Sequence, residues 1–133
     1  MPNKIDLLRR VYADICQIKP NLDNLSDDVF LDVAAYHLQQ AVEKLVKYVM
    51  SQNNVIFNKT HDILELCQQM DDNSISYPDW VYNNAKILTN YATKVRFGED
   101  LVGNRRKIEE LLELVTEYYE QNKQQQDMQK QRG

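Results

Sequence analysis

Two histidines, one arginine at the end of an apolar stripe and a run of Gln, Glu and Lys are the side chains whose types and spacing could do chemistry here. His61 stands in Lys59-Thr60-His61-Asp62, at the expected start of a short helix. It reads either as a general base or nucleotide contact, or as a packing ring bonded to nearby backbone. No nucleophile or partner acid is fixed beside it by sequence. His37 lies between two apolar stripes of a long segment and reads as a packing histidine that must find a hydrogen-bond partner. Neither histidine has a cysteine or acid at metal-ligand spacing, so no metal site and no cofactor is expected. Gln39 and Glu43 are four residues apart, as are Gln40 and Lys44, so each pair shares one helix face. Such pairs ordinarily solvate a surface. On a helix covered on most sides, Gln40, Glu43 and Lys44 instead face other helices or a second subunit. Because buried polar groups need partners, they either form a polar network or, with His37, line a cleft or an interface.

Arg96 follows an apolar stripe and precedes Phe97-Gly98, which puts a guanidinium at a helix end. The dipole alone favours a cation there. A planar fork at that position also suits phosphate, with Lys94 and His61 as neighbours if the fold gathers them. Arg105-Arg106-Lys107 opens the last helix, where its charge opposes the dipole and hints at an anionic partner, unless Glu109 and Glu110 pair with it. Of the eight tyrosines, Tyr118-Tyr119 come nearest to a stacking platform, but Glu117 and Glu120 flank them, which is a poor setting for nucleic acid. No glycine-rich phosphate loop, Ser/His/Asp order or Cys/His pair is present.

The elements that must carry these groups are helical almost throughout. Ile5, Leu8, Tyr12 and Ile15 make one stripe, which Pro20 is expected to end because proline lacks the amide hydrogen and restricts the residue before it. Ser26, followed by Asp27 and Asp28, reads as the next helix start. From there Phe30, Ala34, Leu38, Ala41, Leu45 and Val49 form one stripe, and Leu31, Ala35, Val42 and Val46 a second. Two stripes on one helix place it at the centre of a bundle. Thr60 is a candidate cap for a short helix carrying Ile63, Leu66, Cys67 and Met70. Ser76 is expected to cap another, with Pro78 in its first turn and Val81, Ala85, Leu88, Ala92 and Val95 along it. Gly98 and Gly103 bracket a loop before a last helix with Ile108, Leu111, Leu112, Val115 and Tyr119. The expected fold is all-α, an antiparallel up-and-down bundle of four to five helices over residues 1–120. Residues 121–133 are rich in Gln and Lys and are expected to fray, because burial cannot offset the entropy of ordering them.

Composition bounds the function. The 133 residues suffice for one domain with a core, and 43% hydrophobic with 27% charged residues excludes wholesale disorder. Three glycines and three prolines are too few for the turns of a sandwich or barrel. A net charge of −4 excludes an even basic coat, though not a local basic patch. Cys16 and Cys67 read as small buried apolar groups in a reducing compartment. Met1-Pro2-Asn3-Lys4 is no apolar leader and no uncharged stretch approaches a membrane span, so a cytoplasmic protein without membrane attachment is expected.

Three segments together resemble the HEPN domain family (higher eukaryotes and prokaryotes nucleotide-binding). Ala35-Tyr36-His37-Leu38-Gln39-Gln40-Ala41-Val42-Glu43-Lys44 is similar to its aromatic-His-x-Gln-Gln-Ala-x-Glu-Lys signature. Lys59-Thr60-His61-Asp62-Ile63-Leu64-Glu65-Leu66 is similar to the Thr-His-Asp segment that follows it. Leu88-Thr89-Asn90-Tyr91-Ala92-Thr93-Lys94-Val95-Arg96-Phe97 resembles the fourth-helix segment that ends in Arg-Tyr-Pro or a variant. The order and separation also fit, over roughly residues 5–120. The resemblance implies an antiparallel helical bundle, commonly a two-fold homodimer with a cleft between subunits. It also implies a possible minimal nucleotidyltransferase partner, as in toxin–antitoxin pairs, and a nucleotide or RNA as ligand. Some members are metal-independent ribonucleases that use an arginine and a histidine separated by four to six intervening residues. Here that window after Arg96 holds Leu101, Val102 and Gly103, both histidines precede Arg96, and Phe97-Gly98 replaces Tyr-Pro. Only Arg96 carries over.

The expectation is therefore a small non-catalytic module that dimerises and binds a nucleotide or RNA phosphate, or a nucleotidyltransferase, through Arg96, Lys94 and His61. The alternatives are a ribonuclease toxin rebuilt around Arg96, with His61 in the missing role, and a purely structural helical adaptor.

Overall fold

Both apolar stripes of α2, Val29–Gln52, are covered along most of their length: Leu31, Ala34, Ala35, Leu38, Ala41, Val42, Leu45, Val46 and Val49 are buried, and Phe30 is half-buried. In the computed structural model, which describes residues 4–93 and 101–132, four further helices pack against it. They are α1 (Lys4–Leu22), α3 (Ile63–Asp72), α5 (Ala85–Thr93) and α6 (Leu101–Arg132). A fifth, α4 (Asp79–Asn83), packs on α3 and α5. No strand occurs among the described residues.

Contacts set the directions. Arg105 on α6 donates to the Leu22 carbonyl at the end of α1, Tyr12 meets Tyr119 midway, and Leu8 lies beside Lys123 and Gln126. The residue numbers rise on one helix as they fall on the other, so α1 and α6 are antiparallel. Tyr48 and Gln52, late in α2, lie beside Asn122 and Gln126, late in α6, so α2 and α6 run the same way. That is the up-and-down order, with α3 to α5 as the third arm. Trp80 starts the second part of that arm, its ring edge-on to Tyr118 at 6.1 Å.

Local chemistry explains the helix ends and corrects several expectations. Pro20 does not end α1 but sits inside its last turn, where a missing amide forfeits one bond, and Asp23 N still reaches Lys19 O at 2.9 Å. Ser26 is not the start of α2. Its hydroxyl donates to Asn24, and Asp27 Oδ1 instead accepts Val29 N at 2.9 Å. The start after Pro78 uses no side-chain cap, so Ser76 is not one either. The segment expected to be one helix breaks at Asn84 into α4 and α5, which makes six helices from the four to five foreseen. Gly103 lies within α6.

α2 and α3 stop in the same manner. Asn54 (φ 59°) and Ser74 (φ 57°) adopt left-handed backbone, and the following amides, of Val55 and Ile75, fold back to the carbonyls of Met50 and Met70. Each then tucks an apolar side chain under the helix end. The residues expected to fray continue α6 as far as Arg132, because Asn122 and Gln126 pack beside the end of α2, and Gln126 is buried. Cys67 is buried, but Cys16 is exposed on α1; both are free thiols. Among the described residues no helix is long and apolar enough to cross a membrane.

Leu45 is fully buried at the centre of α2. Leu45→Ala is expected to cost about 2–5 kcal/mol in urea unfolding. Leu25→Ala, at a side chain 77% exposed, should stay within about 0.5 kcal/mol of the parent.

Candidate functional site

A carboxylate inside a bundle must be paired, and α2 has one such group at its centre. Glu43 is only 5% exposed at its side chain. Oε1 accepts from Gln39 Nε2 at 2.9 Å and faces His61 Nδ1 at 3.0 Å, while Oε2 accepts from Lys47 Nζ at 3.0 Å. Helical spacing supplies Gln39 and Lys47, one turn before and one turn after Glu43. The fold supplies His61. Burial works to raise the Glu43 pKa, but the hydrogen bonds from Gln39, Lys47 and His61, with the Lys47 charge, outweigh it and leave the value lowered. An ionised carboxylate has no proton to give, so His61 Nδ1 must carry the one between them. In the neutral ring Nε2 is then the open acceptor.

The start of α3 fixes that ring in place. Asp62 accepts from Leu64 N and Glu65 N, and Thr60 Oγ1 accepts from Asp62 N, so the cap falls on Asp62 with Thr60 behind it. Thr89 Oγ1 accepts from Ile63 N at 3.1 Å and donates to Ala85 O, tying the helix start to α5. Gln39 Nε2 also reaches the His61 carbonyl at 3.4 Å. With both its backbone and Nδ1 held, the His61 side chain is nonetheless 76% exposed.

A second carboxylate mirrors the first on the other flank of α2. Asp14 of α1 is buried, with Oδ1 facing His37 Nδ1 at 2.9 Å and Oδ2 accepting from Lys44 Nζ at 2.6 Å. His37 is half-buried, edge-on to Tyr36. Gln40 lies between the two clusters and donates to Gln39 Oε1 at 2.7 Å. His37, Gln40, Lys44 and Lys47 therefore follow one line along α2, each partly exposed, with His61 beside it. Phe57 covers Lys47, its ring centre 5.3 Å from Nζ.

Of the residues singled out from sequence, the structure joins Glu43 to His61 directly and Lys44 to His37 through Asp14. Lys94 and Arg96 lie outside the described residues, while α5 ends at Thr93, four residues past the Thr89 that holds the start of α3. Arg105 spends its guanidinium on the Leu22 carbonyl, and Lys107 pairs with Glu110 at 3.7 Å. Asp14 and Lys47 were missed. Asp14 interrupts the buried row Leu7, Val11, Ile18 at helical spacing, and Lys47 stands four residues after Glu43; both signals are in the sequence. Cys67 is no nucleophile: burial pushes its thiol up to about 11. Among the described residues no group of three His, Cys, Asp or Glu could hold a metal ion.

The family model of the HEPN domain matches residues 19–125, which contain α2, the Glu43 cluster and the start of α3, while Asp14 of the second cluster lies before the matched span. The chain belongs to the HEPN domain family, and that membership points to a nucleotide- or RNA-related role. Searches of the curated proteins and of the solved structures found no match.

Because the folded Glu43 pKa lies below the ordinary 4.5, its contribution to stability is present above that value and is lost as pH falls through the folded one. Glu43→Gln is expected to cost about 1–3 kcal/mol at neutral pH by urea unfolding, since Lys47 loses its counter-charge. The variant should also lose less of its remaining stability than the parent as pH is lowered through the carboxylate range.

Proposed function

We propose that this HEPN domain is a non-catalytic binding module of the cytoplasm that acts as a homodimer. Its α2 face takes a nucleotide or an RNA phosphate, or seats a minimal nucleotidyltransferase in a prokaryotic toxin–antitoxin pair. The observation that carries the reading is the exposed His61 ring held at Nδ1 by the buried Glu43 carboxylate. A surface ring fixed this firmly loses little entropy on binding, and its outward nitrogen accepts from a base N–H in the neutral ring and donates to a phosphate in the imidazolium. Arg96, three positions beyond α5, supplies the fork for phosphate, with Lys94 beside it. Lys44 and Lys47 add local positive charge along α2, although each already faces a carboxylate.

The same pair supports a second reading, the ribonuclease rebuilt around Arg96. A carboxylate that orients a histidine is the arrangement a general base needs, and His61 Nε2 would take the proton of a ribose hydroxyl. The order of preference rests on the missing histidine after Arg96. A structural adaptor, the third alternative, has no use for a fixed surface imidazole.

Calorimetry with nucleotides, and a cleavage assay on cellular RNA with chelator present, separate these readings. The expected result is nucleotide binding weakened about 10- to 150-fold in His61→Ala and in Arg96→Ala, a lost charged hydrogen bond each, with RNA intact throughout. Cleavage by the parent that disappears in His61→Ala would establish the ribonuclease instead. Light scattering should report a dimer; a monomer without nucleotide or partner binding refutes the module.

A further inference from the structure

The fold builds the stacking platform that Tyr118-Tyr119 do not make alone. Tyr118 turns inward against Trp80 and is buried. Tyr119 turns the other way, toward α1, where its ring meets Tyr12 at 5.8 Å with the planes 31° apart. The two rings line a groove of about 250 Å³ between α1 and α6, together with Leu8, Arg9, Lys123 and Gln126. Tyr12 is 56% exposed there.

Helical spacing puts a cation beside each ring. Arg9 stands three residues before Tyr12, and Lys123 four after Tyr119, so each shares the face of its tyrosine. Arg9 makes no ion pair among the described residues. Lys123 Nζ lies 3.0 Å from Asp127 and 3.4 Å from the Gln126 amide oxygen. The Lys123–Asp127 pair is largely solvent-exposed, and exposed pairs are worth about 0–1 kcal/mol, little enough for a phosphate to compete. A cavity of about 440 Å³ beside α4 has the opposite character: Asp71 and Asp79 line it and no Lys or Arg does. Of these two cavities, the α1–α6 groove is the one that cations line.

This groove is separate from the His61 face. Tyr12 and Asp14 are two residues apart on α1, about 200° around the helix, so Tyr12 points away from the Asp14–His37–Lys44 cluster. We propose that the α1–α6 groove binds single-stranded nucleic acid, with a base stacked on Tyr12 and Tyr119 and the adjoining phosphates held by Arg9 and Lys123. The stacking is indifferent to base identity, and two cations give a modest, salt-sensitive grip.

Fluorescence anisotropy with a labelled oligoadenylate RNA of about ten nucleotides tests the site, using Tyr12→Ala and Arg9→Gln, both at exposed positions and both checked for parental helicity. Tyr12→Ala is expected to weaken binding about 5- to 150-fold, the worth of one stacked base. Arg9→Gln should lower the slope of log affinity against log salt by about 0.7, one phosphate contact, which a purely structural role would not do. In His61→Ala the strand should still bind in a Tyr12-dependent manner, so this site and the α2 face fail separately. Parental affinity in Tyr12→Ala, or no strand binding by the parent at low salt, overturns the proposal. Binding lost in His61→Ala and kept in Tyr12→Ala overturns it as well, leaving only the α2 face.

Discussion

A carboxylate buried at the centre of α2 must be held by hydrogen-bond donors, and much of the local structure follows from that demand. Glu43 meets it with three donors, from Gln39, Lys47 and His61. Two come from its own helix at one-turn spacing. The third requires the chain between α2 and α3 to return to the middle of α2, which is why the start of α3 is so heavily tied. Asp62 caps it, Thr60 supports the cap, and Thr89 of α5 takes the Ile63 amide. An exposed imidazole is held firmly because the group behind it tolerates no loss of a partner.

Asp14 repeats the arrangement on the other flank, with His37 and Lys44 as its partners. Buried ion pairs of this kind add little stability over a well-packed apolar replacement, since desolvation offsets most of the attraction. Their geometric consequence is register. Both oxygens of Asp14 find partners with α1 at this height along α2, and the Arg105 bond to the Leu22 carbonyl ties α6 to the same end of α1. The two carboxylates leave α2 with one partly exposed polar line between them, and every polar group on that line is already oriented. The surface proposed for binding thus shares its residues with the interactions that align α1 and α3 on α2.

Much of this was legible in the residues. The two stripes of α2 identified the central helix, and the spacing marked two polar pairs on it: Gln39 and Glu43, which are buried, and Gln40 and Lys44, which lie on the partly exposed line. What sequence could not supply was the third dimension. His61 looked isolated because its acid lies 18 residues away. Tyr119 was read from its acidic sequence neighbours alone, and the fold adds Tyr12, Arg9 and Lys123 around it, with Asp127 paired to Lys123. The helix ends were misplaced where a local signal was read without its competitor. Ser26 bonds Asn24 instead of capping, and Pro20 falls where the helix can absorb it. The last turns of α6 looked too polar to order, yet the end of α2 offers Tyr48, Gln52 and Asn53 as polar surroundings for its amides.

The central claim is that Glu43 sets the proton position and orientation of the His61 ring. Nitrogen-15 NMR of the imidazole reads this directly, because protonated and unprotonated ring nitrogens have well-separated shifts. In the neutral ring the proton should reside on Nδ1, with Nε2 unprotonated, and Glu43→Gln should return His61 to the mixed tautomers of a free surface histidine. A parent ring protonated at Nε2, or a tautomer unchanged in Glu43→Gln, would contradict the account.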